Sequence, residues 1–161
     1  MVNSLDIASL NQFGIDKKSP LESRRKAGFL FSRAKTRATW RTLWYKLHRK
    51  ENKLQDLTQI ARDAKRQPAA HSGVVNVPLD KIIGSEGRTD DFDGAYNPLK
   101  SHNRDRWIGI AAARRNGTTL PPVDLIQVGD SYYVRDGNHR VSVAKAAGQV
   151  EIEAQIIYVL S

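Results

Sequence analysis

Between Gly28 and Pro68 the chain carries neither glycine nor proline, so no residue there halts a helix once it has started. The run PLESRRKAGFLFSRAKTRATWRTLWYKLHRKENKLQDLTQIARDAKR is therefore expected to be helical. Leu43, Leu47, Leu54, Leu57, Ala61 and Ala64 fall at alternating helical steps, with Lys50 filling one gap. That apolar stripe needs a surface to cover it. Either the rest of the chain covers it or a second copy does, and the second case gives a homodimer through the helical arm.

The same segment concentrates the charge. Residues 17–66 hold sixteen Lys and Arg against four acids, whereas 67–161 hold ten against eleven; two further acids precede residue 17, which returns the net +9 of the whole chain. A basic helical arm, 1–66, thus precedes a near-neutral domain, 74–161, and the interruption KRQPAAHSG marks a linker at 67–73. Within the arm, Trp40, Trp44 and Tyr45 are interleaved with Arg37, Arg41, Lys46 and Arg49. Cations beside flat rings suit phosphate contacts combined with base stacking. Arg37, Arg41, Trp44 and Arg49 are accordingly the candidate nucleic-acid contacts, with DNA or RNA as the partner. The same pattern also serves an anionic lipid surface, or merely solvates the outside of a helix.

Composition excludes several classes. The chain has no cysteine, which removes disulfides, thiolate zinc sites and cysteine nucleophiles. The start, MVNSLDIASLNQFGIDKK, has no basic region leading into an apolar run, and no window approaches the roughly 18 apolar residues of a membrane span. A cytoplasmic location is the expectation. With 161 residues and 40% hydrophobic content, one modest core is affordable.

From Gly73 onward short elements replace the long helix. VVNVPLDKIIG reads as a strand, a proline break and a short helical turn, and DRWIGIAAARRNG as a helix closed by Gly117. PPVDLIQVGDSYYVR reads as a hairpin through Gly129-Asp130, and EIEAQIIYVL as a closing β-branched strand. The order strand, helix, hairpin, helix, strand gives a compact α+β domain with a small mixed sheet.

The densest polar chemistry lies in YYVRDGNHRVSVAKAAG. The strand ends at Asp136, Gly137 permits a tight turn, and Asn138 is expected to cap a helix that runs to Ala147 and stops at Gly148. Such a corner presents free backbone N–H groups and the positive end of a helix dipole. Arg140 in that first turn opposes the dipole. An anion at the corner would resolve the conflict, because Arg, His and backbone N–H all donate to phosphate oxygens. The competing reading is that Asp136 and Arg140 pair with each other while His139 packs.

DGNHRVSVAKAAG, preceded by a hairpin and by VPLDKIIGSEGR with its following helix, resembles the ParB N-terminal/sulfiredoxin superfamily over roughly Val74 to Leu160. Sulfiredoxins carry Gly-Cys-His-Arg at this corner, partition proteins a Gly-Glu-Arg-Arg box, and free-serine-kinase-like members an Asp-Gly-x-His-Arg pattern. The corresponding residues here are Asp136, Gly137, Asn138, His139 and Arg140. The resemblance implies a nucleoside triphosphate, ATP or CTP, with phosphates on Gly137, Asn138, His139 and Arg140; apart from it, Arg88 in the polar stretch and Arg106 at the start of the following helix are further candidate phosphate contacts. It is to a bacterial branch with a DGNHR loop, of the kind often labelled ParB-like nuclease domains. The sulfiredoxin cysteine corresponds to Asn138, so sulfinic-acid repair is excluded. Asn138-His139 stand where the partition box has Glu-Arg, and no sequence follows Ser161 to supply a helix-turn-helix, so chromosome partitioning is not expected.

Two functions of different class follow. In the first, a nucleotide-binding module engages nucleic acid or a partner through the basic arm. In the second, an ATP-dependent small-molecule kinase or nucleotide hydrolase uses the acids of SEGRTDDFD, which include Asp90, Asp91 and Asp93, together with Asp136. Glu86 would be its base, and Asp136 its Mg²⁺ ligand or acceptor-orienting group. A nuclease ranks last, because no metal-nuclease constellation is visible beyond the acid cluster.

Overall fold

The computed structural model describes residues 19–61, 65–69 and 73–160. Helix α1 (Pro20–Leu47) opens on proline, whose fixed φ suits a first turn, and Glu22 in that turn pairs with Lys26. Its buried face is Ser23, Ala27, Phe31, Ala34 and Ala38, a series of small residues around one ring. This corrects the expected packing stripe. Leu43 and Leu47 are exposed, and Leu54 and Leu57 are buried but lie beyond α1, in the connection that follows it and in the next short helix; Ala64 lies outside the described residues. Small side chains win the docked face because they let two helix axes approach closely.

The expected continuous helix also ends early. At His48 the chain leaves the helix, Arg49 adopts a left-handed φ of 54°, and Lys50 N–H returns to the Tyr45 carbonyl. Tertiary pairing then takes over. Strand β1 (Gln55–Asp56) joins the sheet, the short helix α2 (Leu57–Ile60) is capped by the Asp56 carboxylate on Thr58 N–H, and β2 (Arg66–Pro68) pairs with the final strand.

Strand β3 (Val74–Pro78) leads through a 3-10 turn (Leu79–Lys81) into β4 (Ile82–Ser85). The turn is as expected; β4 is not, since residues 82–84 read as part of the turn and Ser85 as the start of the polar stretch. Helix α3 (Arg104–Arg115), the hairpin β5 (Val123–Val128) and β6 (Ser131–Asp136), helix α4 (Asn138–Ala146) and β7 (Glu151–Leu160) follow as the sequence suggested.

The seven strands form one mixed sheet in the order β1-β4-β6-β5-β7-β2, with β3 also on β7. β4 runs parallel to β1 and β6, and β5 parallel to β7; the β5–β6, β2–β7 and β3–β7 pairs are antiparallel. The fold is α+β. Against the sheet packs a core that includes Leu79, Phe92, Tyr96, Leu125, Val134 and Val141. A second core joins α1, α3 and α4, where Phe31 meets Trp107 edge-on at 5.4 Å among Ala27, Ala111, Ala112 and Val143. The indole N–H of buried Trp107 donates to Ser142 Oγ at 2.9 Å, and Ser142 donates to the Tyr96 carbonyl at 2.6 Å. Those bonds tie α3 and α4 to the loop that walls the site. Among the described residues, no helix is long and apolar enough to cross a membrane.

Candidate anion-binding cleft at the β6–α4 corner

β6 ends at Asp136 and Gly137 turns the chain with φ 101°. A Cβ there would lie 2.6 Å from Val123 Cγ1, so both the backbone angle and the close approach to β5 require glycine. Gly137 is itself the N-cap, and Asn138 is the first helical residue, with no side-chain cap bond. This corrects the expected Asn138 cap. The left-handed glycine already turns the chain into the helix, and Asn138 is carried inward instead.

Asn138 and His139 are 6% and 5% exposed. Asn138 Oδ1 and both ring nitrogens of His139 lack any hydrogen-bond partner. Unpaired buried polar atoms cost on the order of 1–3 kcal/mol each, so a native fold keeps them where something else supplies the partner. All three belong to residues lining a cleft of about 240 Å³, together with Gly87, Arg88, Arg106, Arg135, Asp136, Gly137 and Arg140, with Ile110 as an apolar wall. Burial, followed by the charges of Arg106 and Arg88, pushes the His139 imidazole down to about 4. At neutral pH the ring is therefore uncharged, packed edge-on against Phe92 at 5.3 Å.

The cations arrive by separate routes. Arg88 sits at a left-handed φ of 56° and reaches Asp91 at 3.3 Å; Arg106 comes from the first turns of α3 and Arg135 from the end of β6. Arg140 has work of its own. Its Nη1 donates to the carbonyls of Pro121 and Pro122 at 2.6 Å each, and its Nη2 to Asp136, two-thirds exposed at the rim. The Asp136–Arg140 pairing anticipated as the competing reading is thus present, while His139 packs without being satisfied.

The acidic loop is neither a solvated turn nor a carboxylate cluster facing the cleft. Asp91 is buried and bonds Lys100 at 3.0 Å, Arg88 at 3.3 Å and Asn103 Nδ2 at 3.2 Å. Burial raises its pKa, and Lys100 and Arg88 more than offset that, so its carboxyl lies below the ordinary value. Asp93, fully buried, accepts from Ala95 N–H at 2.9 Å and Asn97 N–H at 2.8 Å, with Arg41 Nε at 3.2 Å. Asp90 is exposed. Glu86 flanks the cleft rather than lining it, its carboxylate 3.8 Å from Arg135 Nε. Among the described residues no group of three or more His, Asp or Glu is arranged to hold a metal ion.

The corner thus gathers Arg88, Arg106, Asp136, Gly137, Asn138, His139 and Arg140 and leaves Glu86 at its edge. Sequence reasoning missed Arg135, Ile110 and Phe92. Arg135 had a signal, since it adjoins Asp136 at the strand end; Phe92 and Ile110 arrive through tertiary packing. The candidate nucleic-acid residues form a separate surface. Arg37 and Arg49 are exposed, Trp44 is half-exposed and stacks on His48 at 4.1 Å, and Arg41 is partly engaged by Asp93.

No family model matches this chain, and no curated protein does. Among solved structures it is similar to sulfiredoxin from Arabidopsis thaliana, at 23% identity, covering 52% of this chain and 83% of that one, with a TM-score of 0.41.

Proposed function

We propose that this chain is a nucleotide-binding module in which the β6–α4 corner receives the phosphates of a nucleoside triphosphate, ATP or CTP, while the basic outer face of α1 engages DNA or RNA. The observation that carries the reading is the set of unpartnered buried atoms of Asn138 and His139 lining a cleft of arginines. A phosphate oxygen accepts from an imidazole N–H and from the N–H groups of the first turn of α4. Asn138 meets the ligand as acceptor of a ribose hydroxyl or water, and rotating its amide makes the same position a donor. Arg88 and Arg106 supply the positive field, and Arg140 with Gly137 holds the corner in shape.

Asp136 offers one exposed carboxylate. Mg²⁺ often takes one or two carboxylates from protein when phosphates complete its shell, so the residues suit an ion carried in on the nucleotide. Turnover as a kinase or hydrolase would need Glu86 released from Arg135; Glu86→Gln should spare binding and abolish turnover if that chemistry occurs.

The test is thermal unfolding against ATP, CTP, GTP, ADP and inorganic phosphate, with and without Mg²⁺. A ligand at one hundred times its dissociation constant stabilises by about 2.7 kcal/mol, a shift of several degrees for a domain of this size. One nucleotide raising the midpoint well above phosphate supports the reading. No shift with any of them at millimolar concentration overturns it.

A further inference from the structure

A second cavity, of about 460 Å³, opens between the outer face of α1 and the body, lined by Arg37, Trp40 and Arg41 of α1, Asn97 of the acidic loop and Lys145 of α4. It shares no residue with the β6–α4 cleft. Trp40 is 67% exposed, and among the described residues it pairs with no other ring. Lys145 lies over the Tyr96 ring at 5.0 Å and donates to the Ile82 carbonyl at 2.9 Å. Burial pushes its amine down to about 8, with Asp80 and Asp93 opposing that. Asp93 offsets one cation by pairing with Arg41, which leaves the cavity with an excess of two positive charges beneath an open indole.

We infer that this cavity is a base-and-phosphate subsite for a single nucleic-acid strand crossing the outer face of α1, with one base stacked on Trp40 and its phosphate held by Arg37, Arg41 and Lys145. The inference rests on the polyanion half of the function proposed above and adds strandedness, a defined subsite and two residues, Trp40 and Lys145. Three considerations favour a strand over other occupants. A flat ring with a free face takes any base, since every base has a π-face. A duplex would keep its bases stacked inside and leave the indole without a partner. A second copy of the chain docked helix to helix would set Arg33, Arg37 and Lys46 of α1, all exposed, against the same helix, with Glu22 the sole acid on α1 and already paired to Lys26.

The experiment is fluorescence anisotropy with labelled oligo(dT), oligo(rU) and a mixed-sequence duplex at 50 and 200 mM salt, using the full chain and its Trp40→Ala, Trp40→Phe and Arg37→Gln variants. The single strands should bind more tightly than the duplex. Trp40→Ala should weaken them by about 5- to 150-fold, the range for losing one base stack, and Trp40→Phe should restore most of that. Arg37→Gln should lower the log–log salt slope by about one. Equal affinity for the duplex, no effect of Trp40→Ala, or Trp40-dependent binding of phosphatidylglycerol vesicles without oligonucleotide binding would each overturn the inference. The nucleotide thermal shifts are measured on the same variants. If the shifts are present in the native chain while oligonucleotides fail to bind it, the strand subsite is wrong and the nucleotide cleft stands; if they are absent in the native chain, the cleft is wrong independently.

Discussion

Arg140 Nη1 lies 2.6 Å from the carbonyl oxygen of Pro121 and the same distance from that of Pro122, so this guanidinium fastens the chain before β5 to the first turn of α4. Its side chain is only 14% exposed. A charged donor serving two carbonyls and a carboxylate is structural as well as electrostatic. Arg140→Ala should therefore lower stability by about 1.5–3 kcal/mol, the scale of a hydrogen bond to a charged group, in addition to weakening anion binding. Arg140→Lys should recover little, because a lysine has no second nitrogen to hold the Asp136 carboxylate while the first serves the two carbonyls. Urea denaturation of the two variants checks this; an unchanged midpoint for Arg140→Ala would reduce the residue to a ligand contact.

The neutral state of His139 makes stability depend on pH. Its folded pKa, about 4, is below the ordinary value of 6.5. Between those values the unfolded chain binds a proton that the folded chain does not. Stability is therefore full above about pH 6.5 and falls as pH drops toward 4, by on the order of 3 kcal/mol at most. His139→Gln should flatten that part of the profile. Unfolding midpoints at pH 7.5, 6 and 5 for both proteins measure the difference, and identical slopes would remove His139 as the cause.

Asp91 acts on the cleft through Arg88. The carboxylate is held between Arg88, Lys100 and Asn103. Asp91→Asn should cost about 1–3 kcal/mol and loosen Arg88, lowering nucleotide affinity several-fold although Asp91 itself lines no part of the cleft. If Arg88 matters for phosphate, Arg88→Gln should reproduce the affinity loss with a smaller stability loss. Chemical denaturation combined with nucleotide titration separates the two effects.

The two faces of α1 should respond oppositely to substitution. Ala34 is 1% exposed, on the small-residue face that carries Ala27 and Phe31 against α3, so Ala34→Leu should overpack and cost about 1–3 kcal/mol. Leu47 is 79% exposed, and Leu47→Ser should change stability by less than about 0.5 kcal/mol. The reverse ranking in thermal unfolding would restore the leucine stripe as the packed face.

That ranking also shows where the sequence was legible. The hairpin, α3, α4 and β7 announce themselves through alternation, Gly129, Gly117 and Gly148, and the corner is conspicuous because so many polar residues surround Gly137. The end of α1 is not, since it turns at Arg49 in a left-handed conformation rather than at a glycine or proline. Two residues of β1 and four of β4 are too short to leave a periodic signal, and they exist because they pair with each other and with β6. At the site, buried Asp91 is held by Arg88 and Lys100 on either side of it in the loop, whereas buried Asp93 meets Arg41 from the distant helix α1. Arg41 and Lys100 could not have been assigned to them from spacing.

The most direct test of the central claim is isothermal titration of ATP, CTP and inorganic tripolyphosphate into the native chain and into Asn138→Leu and Arg106→Gln, each first shown to be folded by circular dichroism. Binding by the native protein with affinity reduced about tenfold or more in both variants is the expected result, since one replaces the unpartnered amide and the other removes a cleft cation. Native binding that both variants leave unchanged would contradict the account and move the nucleotide elsewhere on the molecule.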